Sequence, residues 1–386
     1  MKIIIAPDSF KGTLSSSRIC DIIANVALEQ FPGCTAVKLP IADGGEGSVD
    51  CFLGCLPGEK IWITVKNLFM EDMQTFYGFL RGDIAVIEMA ACAGLPLAGS
   101  RKNPLSATTY GVGQLMLDAI HRGAKKIIVG LGGSATNDGA CGAAAACGVR
   151  FLNRAGHHFI PVGGTLKDID KIDISGLDTA FKGIEITAMC DVDNPMYGPN
   201  GAAFVFGQQK GASEKDIEWL DCGLRHLCKT IQEDIGMDFS EVPGAGAAGA
   251  MGAGMTAFFG AKPRSGIETI LDRVKFDDLL AGAHWVITGE GRFDSQSLQG
   301  KVVSGIARRA MKHEVPVIVI AGGAETIPNM YAEGISAVFS INRLPEDFSI
   351  SRHKSEENLS ITVENVFRLI HAAGMVGRGE GMAWPE

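Results

Sequence analysis

Short runs of β-branched and other apolar residues recur along the chain, and each gives way to glycine, aspartate or serine before a helical pattern begins. The runs cover residues 2–6, 36–41, 126–129, 285–288, 317–320 and 337–341. Alternating strands and helices are typical of a parallel sheet with crossover helices. Ligands of such open sheets bind beyond the carboxyl ends of the strands, so the polar residues after the first five runs become candidates.

The hydrophobic pattern changes between residues 60 and 88, where apolar and polar positions alternate, as in residues 61–65 and 84–88. Alternation with short connections predicts an antiparallel meander. A mixed stretch from residue 150 to about residue 260 adds a strand candidate at 184–188. It also contains a glycine/alanine run at 244–254, which we interpret as a packed turn and helix rather than a flexible linker.

These patterns predict an α/β protein with two domains. Residues 1–59 and 265–386 would form a doubly wound, Rossmann-like domain with a mainly parallel sheet, and residues 60–264 an inserted mixed α/β domain. Residues 105–150 are assignable to either. The length of 386 residues agrees with two domains of roughly 100–200 residues each. Two domains predict a cleft, where ligands usually bind.

Composition narrows the partners that we expect. The net charge is −9 and the lysines and arginines are scattered, which argues against nucleic-acid binding. The amino terminus lacks the pattern of a signal peptide, and the chain lacks an apolar span near twenty residues, so we expect a cytoplasmic protein that does not bind membranes. The oligomeric state stays open, a homodimer included.

The first chemical segment, residues 6–15, follows the first strand and opens a helix. Asp8 would lie at the strand tip and Lys11 in the loop. The serine and threonine residues, Ser9 among them, would lie near the helix N-terminus, where free amides favour an anion. Ordinary helix capping explains Asp8 and Ser15 as well, but gives no reason for Lys11.

The second segment, residues 39–48, places Asp43 and Glu46 on either side of two glycines. Two such carboxylates can converge on one cation while the glycine backbone approaches a ligand closely. A tight turn explains the glycines but not the pair of acids.

The third segment, residues 129–139, is a glycine-rich loop between a strand and an alanine-rich helix. Gly130, Gly132 and Gly133 would expose amides to phosphate oxygens, and Ser134 and Thr136 would add hydroxyl donors. The loop also fits the loose dinucleotide fingerprint. No acidic residue follows at about twenty positions to hold a ribose, which argues against a nicotinamide cofactor.

The fourth segment, residues 190–195, contains Asp191, Asp193 and Asn194. Side chains two apart on a strand face one way, so these oxygens could bind magnesium. A solvated acidic turn explains them equally well.

The fifth segment, residues 288–301, contains Glu290 and Asp294 as candidate metal ligands or bases. Arg292 and Lys301 could neutralise a phosphate or a substrate carboxylate. Neither a Walker P-loop nor a G-x-S-x-G elbow occurs, and none of the five segments contains histidine. Acids, glycines and cations of this kind are typical of phosphoryl transfer.

Together the five segments resemble those of the bacterial glycerate kinase family of glycolate and glucarate catabolism. The match runs in the same order over nearly the whole chain, through the segments APDSFKG, IADGGEG, GLGGSATNDG, DVDNP and TGEGRFD. The resemblance implies ATP-dependent phosphorylation of D-glycerate, with 2-phosphoglycerate as the usual product. It also implies a two-domain α/β architecture.

The roles within this reaction are our own hypothesis. The 130–139 loop and Lys301 would bind the phosphates of Mg-ATP, with Lys11 beside the transferring group. Asp43 is the first choice of base, and Asp8 and Asp294 are the alternatives. The metal ligands would be Asp191, Asp193 and Glu290. The substrate contacts would be Arg292, Ser9 and Glu46. Glycerate 3-kinase, a hydroxy-acid dehydrogenase and a metabolite sensor are the alternative functions.

Overall fold

A computed structural model describes residues 1–42, 44–298 and 300–377, with the main chain alone at 375–377. The chain forms two compact units, which we call unit 1 (residues 1–42 and 270 onwards) and unit 2 (residues 43–269). The domain limits expected from the sequence, at 59/60 and 264/265, stay a prediction.

The strands and helices alternate along much of the chain. In chain order the strands are β1 (Lys2–Ile5), β2 (Thr35–Lys38), β3 (Gly58–Lys66), β4 (Asp72–Leu80), β5 (Ile84–Glu88), β6 (Lys126–Gly130), β7 (Arg150–Leu152), β8 (His158–Phe159), β9 (Lys171–Asp173), β10 (Glu185–Met189), β11 (Lys262–Arg264), β12 (Trp285–Thr288), β13 (Arg292–Phe293), β14 (Val317–Ala321), β15 (Gly323–Ala324) and β16 (Ile335–Ser340). The α-helices are α1 (Ser16–Gln30), α2 (Ser48–Cys55), α3 (Ala90–Ala93), α4 (Leu95–Ala98), α5 (Tyr110–His121), α6 (Cys141–Ala146), α7 (Ala202–Phe206), α8 (Glu214–Ile235), α9 (Ala247–Phe259), α10 (Gly266–Arg273), α11 (Phe276–Leu280), α12 (Val302–Lys312), α13 (Phe348–Ser351) and α14 (Ser355–Gly377).

Unit 1 contains a parallel sheet in the order β16-β14-β12-β1-β2. Its central strands are almost wholly buried and β-branched, as expected for a sheet covered on both faces. From β1 the chain moves outwards in one direction to β2 and in the other through β12, β14 and β16. The order therefore reverses between β1 and β12, and the predicted doubly wound arrangement is confirmed.

Helices α1 and α14 pack together in unit 1. The Phe31 ring meets Phe367 edge to face, with 5.5 Å between centroids, and Arg18 pairs with Glu356 at 2.7 Å. Ser15 caps α1 by accepting a hydrogen bond from the Arg18 amide. Helix capping was the ordinary explanation that the sequence offered for this serine. The helix start is thus locally encoded.

Unit 2 contains a mixed sheet in the order β11-β10-β6-β5-β4-β3. Strands β3, β4 and β5 form the antiparallel meander that alternation predicts, and β5, β6, β10 and β11 run parallel. The α/β fold class is confirmed. Strands β7, β8 and β9 form a small separate antiparallel sheet.

The glycine/alanine run forms a turn and the start of α9, as predicted. Ala248, Gly249 and Ala250 have left-handed φ values of 55°, 71° and 65°, so the chain kinks there. At Gly249 a Cβ would lie 2.2 Å from the Thr136 carbonyl oxygen. The run therefore uses its small side chains to bring main chains into contact.

Among the described residues we find no helix that is both long and apolar enough to cross a membrane.

Candidate functional site

The loops after β1 and β12 are joined by main-chain hydrogen bonds in unit 1. The Ala6 amide donates to Ile287 and the Asp8 amide to Gly289, each at 2.8 Å. The Thr288 hydroxyl also donates to the Ala6 carbonyl at 2.9 Å. Because the carboxyl ends of adjacent parallel strands share one sheet edge, the first and fifth sequence segments come together.

Asp8 and its neighbours occupy this edge in different environments. Asp8 is 7% exposed, and its Oδ1 accepts a hydrogen bond from the Ser9 amide at 2.6 Å. Lys11 is exposed in the turn that follows. The Asp8 carboxylate is thus fixed at the strand tip. Lys11 has the solvent access that a ligand-binding cation needs.

The Glu290 carboxyl group at this edge interacts with several charged and polar side chains. Burial raises the pKa of its carboxyl group, while a hydrogen bond with Ser297 and the charges of Lys301 and Lys11 oppose the rise. Both lysines therefore lie near one carboxylate, although 290 positions separate Lys11 from Lys301 in the sequence. The structure thus brings Lys11 of the first segment close to Glu290 and Lys301 of the fifth.

The other polar residues of the fifth segment already have partners. Arg292 donates to Glu325 at 2.5 Å and lies 3.7 Å from the Asp294 carboxylate. Asp294 Oδ1 accepts the Gln296 amide at 2.9 Å. Lys301 Nζ donates to the Gln296 side chain at 3.2 Å, just before α12 begins. Asp294 thus shapes the turn in addition to carrying its charge.

In unit 2 the second, third and fourth segments meet. The Gly132 amide donates to the Gly44 carbonyl at 3.4 Å. A Cβ at Gly44 would lie 3.3 Å from the Met189 Cβ and 3.9 Å from Asp191 Oδ2. Asp191 is fixed through Oδ1, which accepts the Gly266 amide at 2.9 Å. Close main-chain approach is the physical reason for glycine in this cluster.

The glycine-rich loop exposes its tip and buries the rest. Gly132 and Gly133 are exposed, Ser134 is 7% exposed, and Gly130 and Thr136 are buried. A Cβ at Gly130 would lie 2.6 Å from the Gly44 carbonyl oxygen. Gly130 therefore has a packing role, and the tip offers the accessible part of the predicted phosphate site.

Lys210 is a buried residue to which the sequence analysis gave no role. It is 2% exposed and its Nζ donates to the Thr136 carbonyl at 2.7 Å, beneath the glycine-rich loop. Burial lowers the pKa of Lys210 to about 7, against the opposing charge of Asp138. Its position between glycine-rich stretches was the only hint in the sequence that Lys210 has a role. Because lysines are almost always exposed, the sequence gave no reason to expect this one to be buried.

Asp138 holds the far end of the same loop. Its Oδ2 accepts hydrogen bonds from the Thr109 amide at 2.8 Å, the Thr109 hydroxyl at 2.9 Å and the Gly142 amide at 3.3 Å. Burial raises the pKa of Asp138, and these donors oppose the rise. The loop is thus anchored by a buried carboxylate.

Glu88 supports the second segment from the end of β5. Its Oε1 accepts the Val49 amide at 2.7 Å, in the first turn of α2. Burial raises the pKa of Glu88, while hydrogen bonds from Val49 and Gly47 lower it. A charged residue that ends an apolar strand was the signal in the sequence. Glu46, by contrast, is exposed.

The candidate magnesium ligands fall in both units. Asp191 and the exposed Asp193 follow β10 in unit 2, and Glu290 belongs to unit 1. Within residues 1–42, 44–298 and 300–377 no three His, Cys, Asp or Glu side chains form a group that could hold a metal. In the same part of the chain, Glu290 Oε1 is buried without a hydrogen-bond partner. Magnesium carried largely by phosphates needs only one or two carboxylates, so either Asp191 with Asp193 or Glu290 alone would fit it.

Asp43, the first choice of base, lies outside the described residues. Its neighbours Gly44 and Gly45 are buried in the unit 2 cluster.

Comparison with known proteins gives one consistent family. The model of the glycerate kinase family matches residues 3–371. A glycerate kinase from Bacillus cereus is 44% identical, over 95% of this chain and 97% of the relative. The glycerate 2-kinase of Escherichia coli K12 is 44% identical, over 88% of this chain and 90% of the relative.

A solved structure agrees with these relatives. The crystal structure of a candidate glycerate kinase 2 from Salmonella typhimurium LT2 superposes with a TM-score of 0.86 at 39% identity. The match covers 97% of this chain and 99% of the other. The likeness therefore extends over the elements of both units.

Proposed function

Since the chain belongs to the glycerate kinase family, we propose that it transfers the γ-phosphoryl group of ATP to the 2-hydroxyl of D-glycerate. The chain is a kinase, and the choice of the 2-hydroxyl rests on the likeness to the E. coli glycerate 2-kinase. Membership of a kinase family argues against the dehydrogenase and the non-catalytic sensor. The observation that carries the proposal is the grouping of acids, glycines and cations at strand carboxyl ends.

In unit 1 we assign charge neutralisation to Lys11 and Lys301. Both act on the pKa of Glu290, so both lie where a transferring group beside that carboxylate would feel their charge. Phosphoryl transfer is accelerated mainly by positioning and by fixed positive charge. Asp8 and Ser9 line the same strand tip, where Ser9 would contact the substrate.

In unit 2 we assign phosphate binding to the tip of the 130–139 loop. Gly132 and Gly133 expose main chain there, and Ser134 adds a hydroxyl group. The amides of Leu131, Gly132, Ala135 and Gly139 already donate to main-chain carbonyls, which limits the donors that phosphate oxygens would meet. Gly130 and Thr136 would support the loop from its buried side. Glu46 is exposed and remains a proposed substrate contact.

Magnesium bound to nucleotide phosphates would be held among Asp191, Asp193 and Glu290, by one or two of these carboxylates at a time. When bound, the ion withdraws charge from the phosphate oxygens. Asp43 would accept the proton from the attacking hydroxyl group, as the first choice of base from the sequence. Asp8 and Asp294 are the alternative bases, but Asp294 already shapes the turn before α12.

Arg292 would bind the glycerate carboxylate through its planar guanidinium group. Its present partners, Glu325 and Asp294, are carboxylates, so the substrate would exchange with one of them. The cytoplasmic location and the oligomeric state expected from the sequence stay predictions.

Titration with Mg²⁺ tests the division between base and metal ligands. Excess EDTA should abolish turnover and added Mg²⁺ should restore it. Asp43→Asn keeps the side-chain shape but cannot take the proton, so turnover should collapse and extra metal should not rescue it. Asp193→Asn should raise the Mg²⁺ concentration needed for half activity, with partial rescue by metal.

Three outcomes would contradict these assignments. Full activity in chelator would remove magnesium from the mechanism. Rescue of Asp43→Asn by Mg²⁺ would make Asp43 a metal ligand. An unchanged Mg²⁺ requirement in Asp193→Asn would make Asp193 a solvated turn residue.

A further inference from the structure

Unit 1 contains an open pocket that includes Lys11 and Arg292 in its lining, and no residue has yet been assigned to the adenosine part of ATP. Its volume is about 420 Å³, and its lining comes from the segments that follow β1, β12, β14 and β16. Strand order reverses between β1 and β12, and ligands of doubly wound sheets bind at such a switch point. The pocket thus lies where this fold binds ligands.

Size distinguishes between the two substrates of the proposed reaction. Pockets for drug-sized ligands have volumes of roughly 300–1,000 Å³, a range that suits a nucleoside. D-glycerate has three carbons and would leave most of 420 Å³ filled with solvent. The volume therefore favours the nucleotide.

The walls of the pocket favour the same choice. Phe10, Ile341 and Phe348 line it, and Phe348 is 60% exposed. A small hydroxy acid has hydroxyl and carboxylate groups on every carbon and gains little from such walls. A purine ring has two apolar faces that stack on aromatic side chains.

Polar groups of the pocket complement the rest of a nucleotide. Asn342 contributes a side-chain amide that can donate and accept, as the edge of adenine requires. Lys11 lies on the lining too and its charge reaches Glu290. Arg292, which pairs with Glu325 at 2.5 Å, stays the proposed contact of the glycerate carboxylate. Lys11 can therefore face the phosphate end of the nucleotide.

We propose that this pocket binds the adenosine part of ATP, with the purine ring beside Phe348 and the phosphates towards Lys11. The inference rests on the proposed kinase function for the identity of the ligand.

Gly323 offers a direct way to fill the pocket. It lines the pocket, its φ is not in the left-handed region, and a Cβ there would meet nothing within 4 Å. Gly323→Leu should therefore place an isobutyl group in the nucleoside space without backbone strain. Gly374→Leu, on α14, is the matched control, because its Cβ would also meet nothing within 4 Å.

The measurement is the binding of fluorescently labelled ADP without glycerate, competed with adenosine and, separately, with inorganic pyrophosphate. Gly323→Leu should weaken ADP binding at least about tenfold and should abolish competition by adenosine, whereas competition by pyrophosphate persists. In steady state the KM for ATP should rise by a similar factor, and it should rise more than the KM for glycerate, whose proposed contact Arg292 pairs with Gly323 between β13 and β15. Gly374→Leu should match the wild type.

Phe348→Ala provides a second variant if Gly323→Leu does not fold, because the Phe348 side chain is largely exposed. It should weaken ADP binding about three- to tenfold through lost stacking. Unchanged ADP binding in a folded Gly323→Leu protein would overturn the inference. A rise in the KM for glycerate alone would assign the pocket to the acid. If Gly323→Leu weakens ADP binding but the wild type does not phosphorylate glycerate, the pocket is still the adenosine site and only the proposed reaction is refuted.

Discussion

Lys11 and Glu290 show how a residue gains a role from its surroundings. Glu290 is a half-buried carboxyl group whose pKa is raised by burial and lowered by Ser297, Lys301 and Lys11. The sequence identified Lys11, Glu290 and Lys301 as candidates because they belong to two polar segments that follow strands. Their grouping could not be predicted, since it depends on the pairing of β1 with β12.

Lys11→Met tests the charge of this lysine with little change in packing, because methionine retains most of the aliphatic stem. We expect kcat/KM to fall at least about 10²-fold, since one stabilising charge on the phosphoryl group is lost. The melting temperature should stay within about 2 °C, because Lys11 is exposed. Lys312→Met, at the exposed end of α12, is the control. A near wild-type rate would leave Lys11 as a solvated loop residue.

Lys210→Met tests the buried ammonium group through pH. Lysine in the unfolded chain titrates near 10.5, whereas the pKa of Lys210 in the folded protein is about 7. Between these values the unfolded state binds more protons, so this group makes the folded protein more stable as pH rises. The unfolding free energy of the wild type relative to the variant should therefore grow by up to ~1.4 kcal/mol per pH unit above about pH 7.

Denaturant unfolding at about pH 7, 8 and 9 measures this difference. Lys229→Met is the control, because the Lys229 side chain is 70% exposed. Parallel pH curves for the wild type and Lys210→Met would show that the Lys210 ammonium group is solvated in the folded protein.

At the scale of elements, hydrophobic periodicity predicted the strands well. The predicted runs 126–129 and 285–288 correspond to β6 and β12 within one residue. The run 36–41 was less accurate, because β2 ends at Lys38 and Leu39 to Ile41 continue as a buried loop. Pro40 lacks the amide that a strand ladder needs.

The sequence predicted which residues the loops contain but not which of their side chains are exposed. Thr136 was expected to offer its hydroxyl group to phosphate, yet it is buried under Lys210 and Gly249. Both residues lie more than seventy positions further along the chain, so no local pattern could reveal their packing. The exposed tip at Gly132 and Gly133 is the part that agrees with the prediction.

Gly289→Ala tests the contact between the loop after β12 and β14, the neighbouring strand of the sheet. A Cβ at Gly289 would lie 1.7 Å from the Ile320 carbonyl oxygen, so β14 would have to move. We expect the free energy of unfolding to fall by about 2–4 kcal/mol. Gly323→Ala is the control, since its Cβ would meet nothing within 4 Å. If denaturant titration shows a decrease in unfolding free energy below about 0.5 kcal/mol, the close contact between Gly289 and Ile320 does not contribute to stability.

At the scale of the whole molecule, two compact units each gather part of the predicted chemistry. Unit 1 holds the first and fifth segments, and unit 2 holds the third, the fourth and residues 43–48 of the second. The order of these segments supported the family resemblance, and the match over residues 3–371 confirms the family. The sequence did not predict the individual residue roles as clearly, because the six carboxylates proposed as bases or metal ligands share one chemistry.

The identity of the reaction product tests the central claim most directly. Purified protein is incubated with D-glycerate and Mg-ATP, and the product is identified by phosphorus-detected NMR, in which coupling to one or two protons distinguishes the 2- from the 3-phosphate ester. We predict 2-phosphoglycerate, formed in proportion to ADP and absent with L-glycerate. Formation of 3-phosphoglycerate would contradict the assigned hydroxyl group, and ADP release without a phosphorylated acid would contradict glycerate kinase activity itself.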